Sequence, residues 1–272
     1  MNTGIICSRL SKVIVSGYIR SHFKYHPMLS QSEKINVVRT FWQNFLDCSD
    51  EHFDQKKTSV FLHNKDASDP IDNENEIYIF ELHGGGTVVS VSAKMFERVS
   101  VILQTPCAEV EWQIRSEIEI VQKHGPQLGY YQFNTPTFPV SPNVRYLTVS
   151  DASLYENFMN TCDSKERKMV GMDFANPYHT FFAYIQDGKI LSLGNYMHDD
   201  DTDMLAHIGI ITLPEAKGKW YATQVIQTLL NDTSAKWFVP QWRAHIDNHV
   251  SQKMAQDFGF ELLLNSYSLI TA

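Results

Sequence analysis

Residues 208–223 read Ile208-Gly209-Ile210-Ile211-Thr212-Leu213-Pro214-Glu215-Ala216-Lys217-Gly218-Lys219-Trp220-Tyr221-Ala222-Thr223. The run through Leu213 is apolar enough for a buried strand, and Pro214-Glu215 ends it. Beyond Lys217-Gly218-Lys219, Ala222, Val225, Ile226 and Leu229 recur on one helical face. A strand that turns sharply into a helix exposes the N–H groups of the first helical turn. With the helix dipole, those groups attract an anion. Lys217 and Lys219 add positive charge at that turn, so the stretch suits a pyrophosphate.

The flanking sequence extends this unit in both directions. Upstream, 144–149 predicts a strand, 150–162 a helix opened by Ser150 or Asp151, and a less regular, partly helical stretch runs to Phe174. Residues 179–185 and 190–197 predict strands joined through Asp187-Gly188, a strong two-residue hairpin signal. Residues 204–213 form the apolar strand, 220–231 the helix after it, and 237–246 another strand. Residues 248–258 predict a short helix with Val250, Met254 and Phe258 inward, stopped by Gly259. The last segment, 260–271, is extended. The order β-α-(α)-β-β-β-α-β-α-β defines an α/β mixed sheet with helices on its faces.

Three prolines in Thr135-Pro136-Thr137-Phe138-Pro139-Val140-Ser141-Pro142-Asn143 break regular structure and predict a domain boundary. Residues 1–140 then form a smaller N-terminal α+β domain of unassigned role, and 141–272 a second domain. In the first half, Ser30 and Glu33 are spaced as a capping box before Val38, Phe41, Trp42 and Phe45, a helical stripe. Residues 76–82 and 87–91 flank His83-Gly84-Gly85-Gly86, which suits a hairpin turn better than a phosphate cradle, because a strand and not a helix follows. Residues 92–104 predict a helix. Residues 107–123 are ambiguous between strand alternation and the stripe Val110, Ile114, Ile118 and Val121; the helix is the preferred reading.

Composition excludes several classes. The 272 residues are 43% hydrophobic, ordinary for a globular chain. No apolar run reaches the roughly 18–20 residues of a membrane span, and the N-terminus lacks a signal-peptide core, which predicts a cytoplasmic protein. Twenty-three basic against 31 acidic residues give a net charge of −8, which disfavours nucleic acid as a partner. Cys7, Cys48, Cys107 and Cys162 lack metal or redox spacing and read as reduced thiols. No metal site is predicted.

Downstream of the opening stretch lies Trp242-Arg243-Ala244-His245-Ile246-Asp247-Asn248-His249-Val250-Ser251, followed by Gly259-Phe260. Strand, Pro214-Glu215-x-Lys217-Gly218-Lys219, helix, strand, Asn248-x-x-Ser251 and Gly259-Phe260 occur in the order and approximate spacing of the GNAT superfamily of acyl-CoA-dependent N-acyltransferases. The resemblance covers roughly residues 143–272. It implies a sheet whose two central parallel strands, here 204–213 and 237–246, splay apart to admit the pantetheine arm of acetyl-CoA. It implies cofactor contacts from Ile210, Ile211 and Thr212, from Lys217, Gly218, Lys219, Trp220, Tyr221, Ala222 and Thr223, and from Asn248 and Ser251. Asn248 also reads as a plain N-cap.

Two positions depart from the family pattern. The pyrophosphate motif runs Gln or Arg, two residues, Gly, one residue, then Gly or Ala; Trp220 stands at its first glycine. Many members carry in the later helix a tyrosine that protonates the leaving thiolate, and Ala255 stands there. Tyr267, Ser251 or water would replace it. An attacking amine must also lose a proton. His207, near where some relatives carry a catalytic glutamate, is the candidate base, and an ordinary strand histidine is its alternative. His245 on the neighbouring strand is a second acceptor-side candidate. The run His198-Asp199-Asp200-Asp201-Thr202-Asp203 reads as a solvated loop; beside the acceptor, Asp201 and Asp203 would favour a cationic amine. The resemblance implies transfer of acetyl from acetyl-CoA to the primary amine of a small molecule. A catalytically inactive acyl-CoA sensor or interaction module is the alternative. Oligomeric state is left open, a homodimer included.

Overall fold

A computed structural model describes residues 29–46, 48–49, 51–52, 55–62, 74–104, 109–134, 136–198 and 204–272. The elements of the first half are α1 (Gln31–Leu46), β1 (Thr58–Leu62), β2 (Glu76–Leu82), β3 (Thr87–Val91), α2 (Ala93–Ile102), α3 (Val110–Glu117) and β4 (Ile120–Tyr131). There follow β5 (Val144–Tyr146), α4 (Ala152–Thr161), α5 (Ser164–Val170), β6 (His179–Gln186), β7 (Lys189–Met197) and β8 (Leu205–Thr212). The chain closes with α6 (Tyr221–Ala235), β9 (Val239–His245), α7 (His249–Asp257) and β10 (Glu261–Thr271). The fold is a mixed α/β one, with sheet flanked by helices.

Two compact units emerge, and each draws on two stretches of chain. The described residues of the first are 29–34 and Gln132–Trp242; those of the second fall in Ile35–Tyr131 and Arg243–Ala272. A sequential division near 140 differs from this arrangement. The reason is β10, which pairs antiparallel with β2 and with β4 and so joins the strands of the first half.

In the first unit the strand order is β5-β6-β7-β8-β9. Pairing is antiparallel from β5 to β8, and β8 runs parallel to β9. The β6–β7 hairpin turns on Asp187 and Gly188, both at positive φ (51° and 72°), as its sequence predicts. Helices cover both faces. On one, Tyr155 and Phe158 of α4 pack with Phe181, Leu193 and Ile211. On the other, Val225 and Leu229 of α6 pack with Phe182, Tyr184, Tyr196 and Ala206. Each such fully buried aliphatic side chain contributes roughly 1.5–3 kcal/mol of transfer free energy.

One local expectation is corrected in this unit, and two are made specific. The strand predicted at 144–149 ends at Tyr146, because the Asp151 carboxylate accepts hydrogen bonds from the Thr148 N–H and hydroxyl and pairs with Arg145. A 3-10 turn over Val149–Asp151 then leads into α4. The irregular stretch before Phe174 contains α5, capped by Asp163, which accepts from the Lys165 and Glu166 amides, and ended by Gly171 at φ 58°.

The second unit orders its strands β1-β3-β2-β10-β4. Ile77, Ile79, Val89, Val91 and Leu269 pack there beneath Met95 and Val99 of α2 and Val110 and Ile114 of α3. The capping box holds: the Glu33 carboxylate accepts the Ser30 N–H at 2.8 Å. The glycine run is a turn, with the Leu82 N–H donating to the Gly86 carbonyl. Of the stretch 107–123, the described residues 109–123 are helical only over Val110–Glu117; Ile118 is already extended and β4 begins at Ile120. Tertiary pairing decides this, since β4 lies along β10 from Ile120 to Tyr131. Pro126 sits where that register shifts, a position at which a missing N–H is tolerated.

Candidate functional site

The opening stretch folds as strand, short 3-10 turn (Pro214–Ala216), loop and helix. Beyond His207 the strand edge changes character. The ladder from β8 to β9 pairs Leu205 with Val239, Ala206 with Pro240 and His207 with Gln241, and ends there. On its other edge β8 stays paired with β7 out to Thr212. A parallel pair that parts after three residues is what the resemblance implies for the pantetheine-admitting strands.

The loop then takes two left-handed residues, Gly218 at φ 76° and Trp220 at φ 64°. Glycine adopts this conformation freely, and a Cβ at Gly218 would meet nothing within 4 Å. For Trp220 the same conformation costs about 1 kcal/mol. Trp220 thus keeps the backbone that a glycine would take, and its indole turns outward, 75% exposed. Trp220 is also the N-cap of α6, and no side chain caps this helix. The first intrahelical bond of α6 runs from the Gln224 N–H to the Trp220 carbonyl. The amides of Tyr221, Ala222 and Thr223 therefore lack an intrahelical acceptor. Those three N–H groups fit an anion.

The surrounding side chains divide in role. Lys217 Nζ pairs with the Glu166 carboxylate at 2.7 Å, so its charge is partly spent within the protein. Lys219 is exposed, and among the described residues no ion pair is recorded for it. Tyr221 stacks on Tyr184 at 4.1 Å, which leaves its backbone amide as the group available for binding. Ile211 is buried in the core, Ile210 packs towards Val225 and Leu229, and the Thr212 hydroxyl bonds the Ser192 hydroxyl at 2.8 Å. Contact from these three strand residues therefore has to come from backbone.

Across from one face of β8 lie two polar side chains not singled out from the sequence, Asn195 of β7 and His179 of β6. His207 lies opposite Met197 of β7, and Gly209 opposite Asn195. Asn195 is 2% exposed; its Nδ2 donates to His179 Nδ1 at 2.9 Å. Burial pushes the His179 imidazole below the usual histidine range, with Asp173 opposing and His198 reinforcing the shift. The available sequence signal was the phase of β7: Leu191, Leu193, Asn195 and Met197 alternate inward, and one of them is an amide.

The remaining predicted residues that the structure describes belong to the second unit. Asn248 is an N-cap, its side-chain oxygen accepting the Ser251 N–H at 3.1 Å. His245 Nδ1 lies 3.4 Å from the Asp247 carboxylate and accepts the Asp247 N–H. The Tyr267 hydroxyl donates to Glu81 at 3.0 Å, and burial, with Glu81 adding to it, holds that phenol far above its usual range. Ala255 is fully buried. Asp201 and Asp203 lie outside the described residues. Among the described residues, no group of three or more His, Cys, Asp or Glu side chains is placed to hold a metal ion, and no helix is long and apolar enough to cross a membrane.

Solved structures similar to this chain include a protein described as an acetyltransferase from the GNAT family of Novosphingobium aromaticivorans. That match has 18% identity and a TM-score of 0.46, over 57% of this chain and 67% of that one. A GNAT-family acetyltransferase from Colwellia psychrerythraea matches at 15% identity and TM-score 0.45, over 57% and 59%. An aminoglycoside N-acetyltransferase in complex with CoA matches at 18% identity and TM-score 0.34, over 43% and 90%. No family model and no curated protein matches the chain.

Proposed function

We propose that this chain is an acyl-CoA-dependent N-acyltransferase, moving acetyl from acetyl-CoA to the primary amine of a small molecule by direct attack. The uncapped start of α6 after a parting parallel strand is the observation that carries the reading. The amides of Tyr221, Ala222 and Thr223 would hold the pyrophosphate, with Gly218 keeping the loop open and Lys219 adding charge. Acetyl-CoA supplies the thioester carbonyl. A backbone N–H of β8 near Ile210 or Ile211 would stabilise the oxyanion, a role that needs only a fixed donor in a dry site. His207, on the same strand, would take the amine proton. Asp201 and Asp203 would draw a cationic amine to the acceptor side. The Tyr267 hydroxyl is already held by Glu81, so the proton for the departing thiolate would come from water. The partner is then a small amine and not nucleic acid or membrane, and the compartment is the cytoplasm.

Calorimetry with acetyl-CoA tests this directly: binding is expected, and none at millimolar concentration would sink the reading. Thiol release across a panel of amines then tests transfer. His207→Ala is expected to lower turnover more than acetyl-CoA affinity; an unaffected rate would remove His207 from the mechanism. A second reading, an acyl-CoA sensor without turnover, is favoured by Ala255 and by Tyr267, whose hydroxyl already serves Glu81. Binding without thiol release would select it.

A further inference from the structure

Gly209 sits in β8 with no left-handed backbone to explain it. Its reason is space: a Cβ there would lie 2.6 Å from Asn195 Oδ1, 3.4 Å from Met172 Cε and 3.6 Å from the Val170 carbonyl oxygen. The first of these is closer than real Cβ atoms come, so the side-chain amide of Asn195 lies directly across the glycine. Its Nδ2 is engaged by His179 at 2.9 Å. Its Oδ1 is buried and has no hydrogen-bond partner. A buried carbonyl without a donor costs roughly 1–3 kcal/mol, a large amount to retain without use. The neighbouring Val170 oxygen closes the last turn of α5, where helix carbonyls lack intrahelical donors. The notch at Gly209 thus gathers two oxygen acceptors under a single flexible thioether, Met172, and calls for a ligand rich in N–H donors.

We propose that Asn195 is the residue that orients the acyl acceptor and restricts it to primary amines, an inference that rests on the acyl-transfer reading above. The amine enters at Gly209, displacing the Met172 methyl, and gives one N–H to Asn195 Oδ1. Its lone pair attacks the thioester carbon; the C–N bond forms as the carbonyl π pair moves to oxygen. The second N–H proton goes to the base. Return of the oxygen pair then breaks the C–S bond, and the thiolate leaves and takes up a proton. The products are an amide and free CoA thiol. A secondary amine has one N–H and cannot serve both Asn195 and the base. His179 is a positioning residue here, acting through Asn195.

The test uses the full chain with acetyl-CoA and two probes, n-propylamine and N-methylpropylamine, following thiol release. Wild type is expected to prefer the primary amine in kcat/KM by at least about tenfold, in line with a site whose polar group is left unpaired by the poorer donor. Asn195→Leu should lower kcat/KM for the primary amine by roughly 30-fold and bring the ratio of the two amines towards one. Acetyl-CoA affinity should stay within about twofold, since Asn195 touches no part of the anion site. A wild-type ratio near one, including no acceleration by either amine, overturns the inference. A ratio untouched by Asn195→Leu does so too. If that variant fails to fold, the wild-type ratio alone decides. Loss of acetyl-CoA binding in wild type would instead fell the acyl-transfer reading, and this inference with it.

Discussion

Helices α6 and α7 begin in the same way in sequence, each after a strand and a short loop, and they end up chemically different. At the start of α7, Asn248 turns its own side chain onto the Ser251 N–H, and the Gln252 side chain donates to the His245 carbonyl. At the start of α6 the N-cap is Trp220, an indole with no acceptor to offer. One helix closes its terminus from within, and the other leaves three amides for something outside the chain. A strand-loop-helix pattern therefore marks a place where an anion site can be built. Whether it stays open depends on the one residue at the cap.

The contrast can be broken experimentally. The largest effect is expected from Gly218→Glu, which puts a carboxylate at the open turn and a side chain on a left-handed backbone. Acetyl-CoA affinity should fall by roughly 30-fold, about 2 kcal/mol, in calorimetry. Gly218→Asn, which tolerates that backbone, should stay within about threefold. Equal affinities for all three proteins would mean that the anion binds elsewhere. Next, Asn248→Ala should lower unfolding free energy by about 1 kcal/mol while leaving acetyl-CoA affinity unchanged. An affinity loss as large as that of Gly218→Glu would show Asn248 contacting the ligand and erase the difference between the two helix starts. A smaller effect is expected from Trp220→Gly. Relief of the left-handed strain and the added freedom of the unfolded chain nearly cancel, so stability should move by no more than about 0.5 kcal/mol. Affinity should hold or improve slightly; a tenfold loss would assign the indole itself to binding.

The smallest effect extends the comparison to α4, whose approach is closed by charge. Arg145, then the Thr148 amide, hold the Asp151 carboxyl well below the usual carboxylate range. In the unfolded chain Asp151 takes up a proton below about pH 4, whereas the folded chain resists. Its stabilisation is therefore present above that pH and lost as pH falls further into acid. Asp151→Asn should flatten the acid limb of a stability-versus-pH curve and leave the neutral value little changed. An acid limb identical to wild type would mean that Asp151 stays ionised equally in both states.

Much of the first unit was legible because its signals are local. Asp187-Gly188 set the hairpin, and alternating and helical periodicities set β6 to β8 and α6; in the second unit Gly259, at φ 78°, stopped α7 in the same local way. What failed was strand identity that depends on a distant partner. β4 passes through Lys123-His124-Gly125-Pro126, a poor strand by composition, and exists because β10 pairs with it from the other end of the chain. At the candidate site the same division holds. The turn and its glycine were visible in sequence, whereas the pairing of Lys217 with Glu166, 51 residues away, was not. Nor was the meeting of Asn195 with Gly209, which needs the β7–β8 register.

Sequence by itself determined most of the strands and helices of the first unit, and where an anion could find a helix start. These follow from side-chain period, glycine conformation and proline geometry, all properties of a few adjacent residues. Tertiary structure alone decided which N–H and C=O groups remain open once folding is complete. A hydrogen-bonding group is satisfied or left free by whatever the fold brings against it, and those neighbours come from anywhere in the chain.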